Sequence, residues 1–189
     1  MEAKLKSLRI LLLEKSDVEL NVLRSCLKDN NIMYETSGVN DAMNIMEHVN
    51  PDMIIVDLDV AGQSETDYFI EFCSNRLIPL IIIINEKYDI DYCIKNLKNV
   101  FSYLKKPFGE TELSLSVSIA WNRYREFAES KIALENRKII ERAKGVLMDE
   151  FGLKEKEAMV RLQKLSKDKN RKLIYVANDI INAQKRLIS

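Results

Sequence analysis

Four short apolar runs, each ending in charged or polar residues, set the strongest limit on how this chain folds. They lie in SLRILLLEKSD, PDMIIVDLDVAG, IPLIIIIN and VFSYLKKPF, and helical patterns separate them, as at 40–49 and 89–97. Apolar runs that alternate with helices predict βα units and a parallel sheet covered on both faces. In such a sheet the functional site lies beyond the carboxyl ends of the strands. The residues at those ends are Glu14, Asp57, Asn85 and Lys106.

Charge is divided unevenly along a chain of 189 residues whose net charge is zero. Residues 1–120 hold 12 Lys/Arg and 19 Asp/Glu, whereas residues 121–189 hold 17 Lys/Arg and 10 Asp/Glu. An acidic front and a basic tail predict two modules with different partners. A basic module favours nucleic acid or an anionic surface, and attraction between the two halves is the alternative.

The composition excludes several classes of protein. The longest apolar run, LIPLIIII, contains a proline and is far shorter than the ~20 residues of a membrane span. The three cysteines, Cys26, Cys73 and Cys93, form no CxxC pair, which predicts buried thiols in a reduced cytoplasm. The single histidine, His48, has no nucleophile–base spacing around it, and no glycine-rich phosphate loop is present. We therefore expect a cytoplasmic protein that is not an enzyme.

Together the N-terminal pieces, over about residues 8–125, resemble the receiver domain of response regulators in two-component signal transduction. Glu14 stands at the first of the family's paired acidic positions, and Asp57 at the phospho-accepting aspartate of the phosphorelay. In SYLKKPF, Lys106 matches the lysine of a lysine–proline pair, and Tyr103 stands at the aromatic switch position. The resemblance implies an α/β fold with a doubly wound, parallel, five-stranded (flavodoxin-like) sheet.

Two departures from the receiver pattern predict a degenerate receiver, or pseudo-receiver, over residues 1–120. Lys15 replaces the second acid, and its ammonium either repels Mg²⁺ or pairs with Asp57. Ile84 replaces the hydroxyl residue that senses the phosphoryl group, and it cannot form a hydrogen bond. We therefore expect little or no phosphorylation of Asp57, a disfavoured Mg²⁺ site and no other cofactor. A sensor kinase or a ligand-sensing regulatory protein is the expected controlling partner.

A linker helix is predicted over residues 112–135, where neither proline nor glycine interrupts the chain. Apolar residues in alternating steps of four and three indicate a coiled coil, through which two chains form a homodimer. A helix that packs only within its own chain is the alternative. The predicted dimer seam comprises Val117, Ala120, Tyr124, Phe127, Lys131 and Leu134.

A glycine interrupts the helical pattern of KIIERAKGVLMDEFG. Ile140, Ala143 and Leu147 follow one face, and Gly145 lies about 150° from the centre of that stripe. Glycine costs a helix interior roughly 1 kcal/mol relative to alanine. We therefore expect an external partner to come close to the back of this helix.

The tail, residues 130–189, resembles the ANTAR domain, a three-helix RNA-binding module of transcription antiterminators. The pattern is carried by Arg137, Ile140, Ala143-Lys144-Gly145, Leu147-Met148, Gly152-Leu153, Glu157-Ala158, Leu162, Asn170, Leu173, Val176-Ala177 and Ile180-Ile181. The resemblance implies binding of hairpins in leader mRNA and regulation of transcription antitermination. The candidate RNA-binding residues are Arg137, Lys144, Gly145, Met148, Arg161, Lys164, Arg171 and Lys172.

Two other functions remain open from the residues alone. A DNA-binding response regulator requires a recognition helix in the major groove, and the last helix, with YVANDIINAQ, offers few basic residues for that role. A protein-docking module, with the basic tail on an acidic partner, is the other alternative. We expect neither duplex DNA nor a membrane to be the partner.

Overall fold

The computed structural model describes residues 7–27, 31–88, 91, 93, 97 and 100–188, and it divides into two compact units, Met1–Arg125 and Glu126–Ser189. The described strands are β1 (Arg9–Leu13), β2 (Ile32–Thr36), β3 (Met53–Asp57), β4 (Leu80–Ile84) and β5 (Val100–Lys105). The described helices are α1 (Asp17–Leu27), α2 (Val39–Val49), α3 (Gln63–Arg76), α4 (Glu110–Phe151), α5 (Glu155–Asp168) and α6 (Leu173–Ile188).

The first unit contains the predicted parallel sheet. Its strand order is β2-β1-β3-β4-β5, and every neighbouring pair among these described strands is parallel. All residues of β3 and β4 are buried, as expected for central strands covered by helices on both faces. The doubly wound α/β fold is confirmed. The helix expected at 89–97 lies outside the described residues, apart from 91, 93 and 97.

The first part of α4 belongs to the core of the first unit. Leu113, Val117 and Ala120 pack with residues of α1 and of the sheet. Val117 is 5% exposed and Ala120 is fully buried, so their assignment to an exposed dimer seam is wrong. Tyr124 is half-buried, and its ring centroid lies 5.7 Å from that of Phe101. The apolar residues in the early part of the predicted heptad pattern therefore pack against the sheet of their own chain.

The second unit is the predicted three-helix domain. Its core consists of apolar residues from the end of α4, from α5 and from α6, namely Ala143, Leu147, Ala158, Leu162, Val176, Ala177 and Ile181. Gly152 follows the last residue of α4 with φ of 64°, the left-handed conformation expected at that position. Asn170, one of the residues that carry the family pattern, has φ of 48° and follows the end of α5, and α6 begins only at Leu173.

No helix among the described residues combines the length and the apolar composition that a bilayer span requires. The 42 residues of α4 include many charged side chains on its exposed faces.

Replacing Gly145 and Gly152 by alanine should change stability in opposite directions. A Cβ at Gly145 would meet no atom within 4 Å, so Gly145→Ala should raise the free energy of unfolding by about 1 kcal/mol. Gly152→Ala should lower it by about 1 kcal/mol, because alanine is strained at positive φ. Urea denaturation of dilute full-length protein, followed by circular dichroism, measures both. Two changes of the same sign would contradict this account of the end of α4.

Candidate functional site

Three charged side chains meet at the carboxyl edge of the sheet. Glu14 directly follows β1, Asp57 ends β3 and Lys106 directly follows β5. The ammonium of Lys106 lies 2.5 Å from Asp57 Oδ2 and 3.5 Å from Glu14 Oε2. Glu19, in the first turn of α1, adds a third carboxylate 3.7 Å from the same nitrogen. The acidic mouth, defined as Glu14, Glu19, Asp57 and Lys106, therefore already contains a cation.

Burial governs the electrostatics of the acidic mouth. Glu14 and Asp57 are each 2% exposed. Burial raises the pKa of Glu14 above its ordinary value, although the backbone N–H groups of Lys15 and Ser16 donate to its Oε1 at 2.9 Å. Burial alone would lower the pKa of Lys106, but the hydrogen bond to Asp57 and the neighbouring carboxylates raise it. Glu14 Oε2 is buried without a hydrogen-bond partner, so Lys106 is its nearest compensating charge.

Lys15 and Ile84, which depart from the receiver pattern, and Tyr103, which matches it, lie in three different environments. Lys15 is exposed and lines a pocket of about 570 Å³, and the cation held by Asp57 is Lys106, so the suggested Lys15–Asp57 pair is wrong. Ile84 is buried at the end of β4. Tyr103 is half-buried against the sheet core, and burial raises its pKa to about 12.

The residues of the acidic mouth do not fit a Mg²⁺ ion. Magnesium requires an octahedron of oxygen ligands, and Lys15 stands where the receiver pattern has a second acid. Within the described residues, no three His, Cys, Asp or Glu side chains are arranged to hold a metal.

A second network connects the loop after β3 with the segment after β4. Asn85 and Lys87 donate to the Asp59 carboxylate, and the Tyr88 hydroxyl donates to the same carboxylate at 3.0 Å. Burial alone would raise the pKa of Asp59, but the hydrogen bonds from Lys87 and Tyr88 bring it below its ordinary value. Sequence reasoning identified Asn85 only as the end of a strand and missed its partner. The available signal was that Asn85 and Asp59 are both polar and follow adjacent strands.

In the second unit, the candidate cations fall into exposed and buried groups. The exposed ones are Arg137, Arg161, Lys164, Arg171 and Lys172. The Arg161 guanidinium lies 4.4 Å from the centre of the Phe151 ring, and Arg171 pairs with Asp179 at 2.5 Å. Met148 is half-buried and packs against the three-helix core.

The surroundings of Lys144 differ from those that the sequence predicted. Its side chain is only 9% exposed, and its ammonium lies 2.7 Å from carboxylate oxygens of both Glu141 and Glu155. The hydrogen bond to Glu141, followed by that to Glu155, raises the pKa of Lys144. Two neighbouring carboxylates thus pair with a cation that was predicted to meet RNA phosphate, and that contact stays a prediction. Lys144 also ties α4 to the first turn of α5.

Comparison with known proteins assigns each unit. Residues 128–181 match the sequence model of the ANTAR domain. The sheet unit superposes on a response regulator receiver domain protein from Clostridium thermocellum, with a TM-score of 0.51 and 24% identity over 64% of this chain and 98% of that one. A signal receiver domain of an HD domain-containing protein from Pseudomonas fluorescens gives 0.56 and 17%, over 64% and 99%.

The chain therefore has a receiver-like fold and, over residues 128–181, a match to the ANTAR domain. Among similar proteins is a transcriptional regulatory protein, PdtaR, of Mycobacterium tuberculosis, which is 26% identical over 159 residues, or 79% of this chain and 77% of the relative. A nitrate regulatory protein of Klebsiella oxytoca is 39% identical over 59 residues, covering 31% of this chain and 15% of the relative. The matched relatives are regulatory proteins.

The ANTAR domain also contains a groove that sequence reasoning missed. It encloses about 700 Å³ on the outer side of α5, and its lining includes Lys156, Val160 and Lys164. Val160 and the nearby Phe151 are both largely exposed. The spacing of four residues between Lys156, Val160 and Lys164 places them on one helical face, which was the signal that could have revealed this groove.

Removing the Lys106 cation should destabilise the receiver unit. Lys106→Met leaves two buried carboxylates without their compensating charge, so the free energy of unfolding should fall by about 3 kcal/mol at neutral pH. The loss should shrink as the pH falls, because protonation discharges Glu14, whose pKa is raised by burial. Urea denaturation at several pH values measures it.

The matched control is Lys105→Met. Lys105 is 62% exposed and lies 3.7 Å from the exposed Glu86, a surface pair worth at most about 1 kcal/mol. Equal effects of the two variants would show that Lys106 does not act as the compensating charge.

Proposed function

We propose that this protein is an RNA-binding regulator of transcription antitermination, which binds leader-RNA hairpins through its ANTAR domain and is controlled through its atypical receiver unit. The observation that carries this proposal is the ANTAR match over residues 128–181 in a unit with several exposed arginine and lysine side chains. The two regulatory relatives support a role in gene regulation. The action is a shift in an RNA folding equilibrium, driven by higher affinity for one RNA fold.

The exposed cations and aromatic rings suggest how a hairpin loop is bound. Arg161 and Lys164 border the groove on α5, where they meet phosphate oxygens and position the RNA. Phe151 and Tyr175 are more than half exposed, and each has an arginine close to its ring. An unpaired base stacks on such rings. Lys144 stabilises this surface, because its ion pair with Glu155 holds α5 against α4.

The RNA partner requires two binding units if it presents two hairpins. A homodimer formed through the exposed part of α4 supplies them, and simultaneous binding of both hairpins raises the overall affinity without any new contact. Phe127, Lys131 and Leu134, from the predicted seam, are all exposed in the single chain. They form the part of that seam that a second chain can reach.

The receiver unit acts without efficient phosphorylation in this proposal. Lys15 replaces the second acid of the receiver pattern, and Ile84 offers no hydrogen bond to a phosphoryl oxygen. Control then comes from a partner protein, either a sensor kinase that binds the receiver surface or a protein that senses a small ligand.

Acetyl phosphate with Mg²⁺ should not label the protein stoichiometrically. The expected result is little or no incorporation into wild type, measured by intact-mass spectrometry, because Lys15 disfavours Mg²⁺ and Ile84 cannot bind a phosphoryl oxygen. The control is Asp57→Asn, which should show as little phosphoryl adduct as wild type. Full labelling of wild type that disappears in Asp57→Asn would refute the degenerate-receiver interpretation.

RNA binding should depend on the cations of α5. Lys164→Ala should weaken binding of RNA recovered by crosslinking from the protein's own cells, and should reduce the slope of log K against log salt by about 1. Gel shifts at several stated salt concentrations measure this, with Lys105→Ala in the receiver unit as the control of equal charge change. Duplex DNA should compete poorly. Equal competition by duplex DNA, or an unchanged salt slope, would argue against this interface.

A further inference from the structure

One face of α4 within the second unit points away from that unit's core. Successive residues turn by about 100°, so Leu134, Lys138 and Gly145 lie within about 20° of one direction. The core residues Ala143 and Leu147 lie on the opposite side. A Cβ at Gly145 would meet no atom within 4 Å, and Leu134 is 54% exposed. The α4 seam is defined as Lys131, Leu134, Lys138, Glu141 and Gly145 on this face, together with Met148 at its border, which also packs against the core.

The charges beside Gly145 disfavour RNA as its neighbour. Glu141 and Asp149 lie one turn before and one turn after Gly145, and both are exposed. Their carboxylates repel phosphate. The adjacent Lys144 is already neutralised by two glutamates. A surface that carries both signs of charge beside an open glycine instead suits another helix.

We propose that a second copy of this chain packs on the α4 seam in antiparallel orientation, with Leu134 of each copy against Gly145 of the other. This inference gives a specific geometry to the homodimer of the proposed function. Gly145 provides the space, because a residue without Cβ leaves a hole that the Leu134 side chain of the second copy fills. The pairing therefore explains both the glycine and the exposed leucine.

Charge complementarity selects this orientation and register. With Leu134 opposite Gly145, Lys138 of one copy faces Glu141 of the other, and Lys131 lies along Met148. The flanking Glu135 then lies next to Arg142 of the second copy. A parallel pair would instead place Lys131, Lys138 and Glu141 each against its own equivalent, which is repulsive at three of the six layers.

The partners of these charges within one chain are compatible with the pairing. Lys138 lies 2.7 Å from Glu135, and Glu141 lies 2.7 Å from Lys144. All the side chains of these pairs except that of Lys144 are more than half exposed. Antiparallel docking therefore joins two existing ion pairs into one run of alternating charge, without removing either pair.

Cysteine crosslinking tests the orientation. Full-length Leu134→Cys and Gly145→Cys chains are oxidised separately and as an equal mixture, then examined on a non-reducing gel, with wild type reporting any crosslinking by native cysteines. Only the mixture should form a disulfide-linked dimer. Two Leu134 positions lie 11 residues out of step, about 16 Å along the helices, beyond the reach of a disulfide. Crosslinking of each single variant with itself would overturn the antiparallel arrangement.

Charge exchange tests the register. Lys138→Glu and Glu141→Lys should each weaken dimerisation about tenfold, measured by analytical ultracentrifugation, and the double exchange should restore it. In a parallel pair Lys138→Glu merely replaces one repulsive layer by another and leaves the dimer unchanged. Either that result, or a failure of the double exchange to recover, would overturn the proposed register.

A separate readout distinguishes this inference from the RNA proposal. Gly145→Leu should abolish dimerisation while each chain still retains a single RNA hairpin in a gel shift. Loss of hairpin binding with dimerisation intact would assign Gly145 to RNA and overturn the inference. A wild-type chain that remains monomeric at all concentrations would also overturn it, yet would leave single-hairpin binding by the ANTAR domain to be judged by its own test.

Discussion

The continuous helix α4 is the constraint on which the rest of the molecule depends. Its first part contributes Leu113 and Ala120 to the core of the receiver unit, and its last part contributes Ala143 and Leu147 to the core of the ANTAR domain. Helices gain most of their stability from burying one face rather than from propensity alone. Between the two buried parts, Ile132 and Leu134 are exposed, so this stretch has apolar surface that a partner helix can bury.

The receiver unit shows how one substitution changes the role of a site without changing its fold. Lys106 sits against Asp57 and near Glu14, where it compensates buried negative charge at the sheet edge. Lys15, in place of an acid, removes a ligand from any metal at that edge. Glu14 and Asp57 are almost fully buried, so the acidic mouth is part of the packed interior of this unit and Lys106 balances its charge.

The sequence predicted the fold well where the signal was local, and less well where packing decided the outcome. Apolar runs identified β1, β3, β4 and β5, but IMYET of β2 is a half-exposed edge strand without a continuous apolar run, so only the family resemblance implied it. The heptad pattern could not distinguish Val117, buried in its own chain, from Leu134, which is exposed. Nor could it show that Lys144 is enclosed by carboxylates, since Glu155 lies beyond the turn that follows the helix. Helical spacing gives directions around an axis, and the neighbours in those directions come from other elements.

An antiparallel seam would also constrain the RNA. A pair of identical chains joined in this way has a two-fold axis perpendicular to the α4 helices, and the two RNA-binding surfaces are related by that axis. Two hairpins in one transcript follow each other with the same strand polarity, so the nucleotides between them must supply the half-turn that relates the surfaces. The gain in overall affinity from binding the second hairpin then depends on the length of that spacer. The gain is lost when the spacer is too short to span the two sites, and it falls again when the spacer is much longer than that distance. The spacing between hairpins, as well as their loop sequence, therefore determines which transcripts a rigid dimer selects.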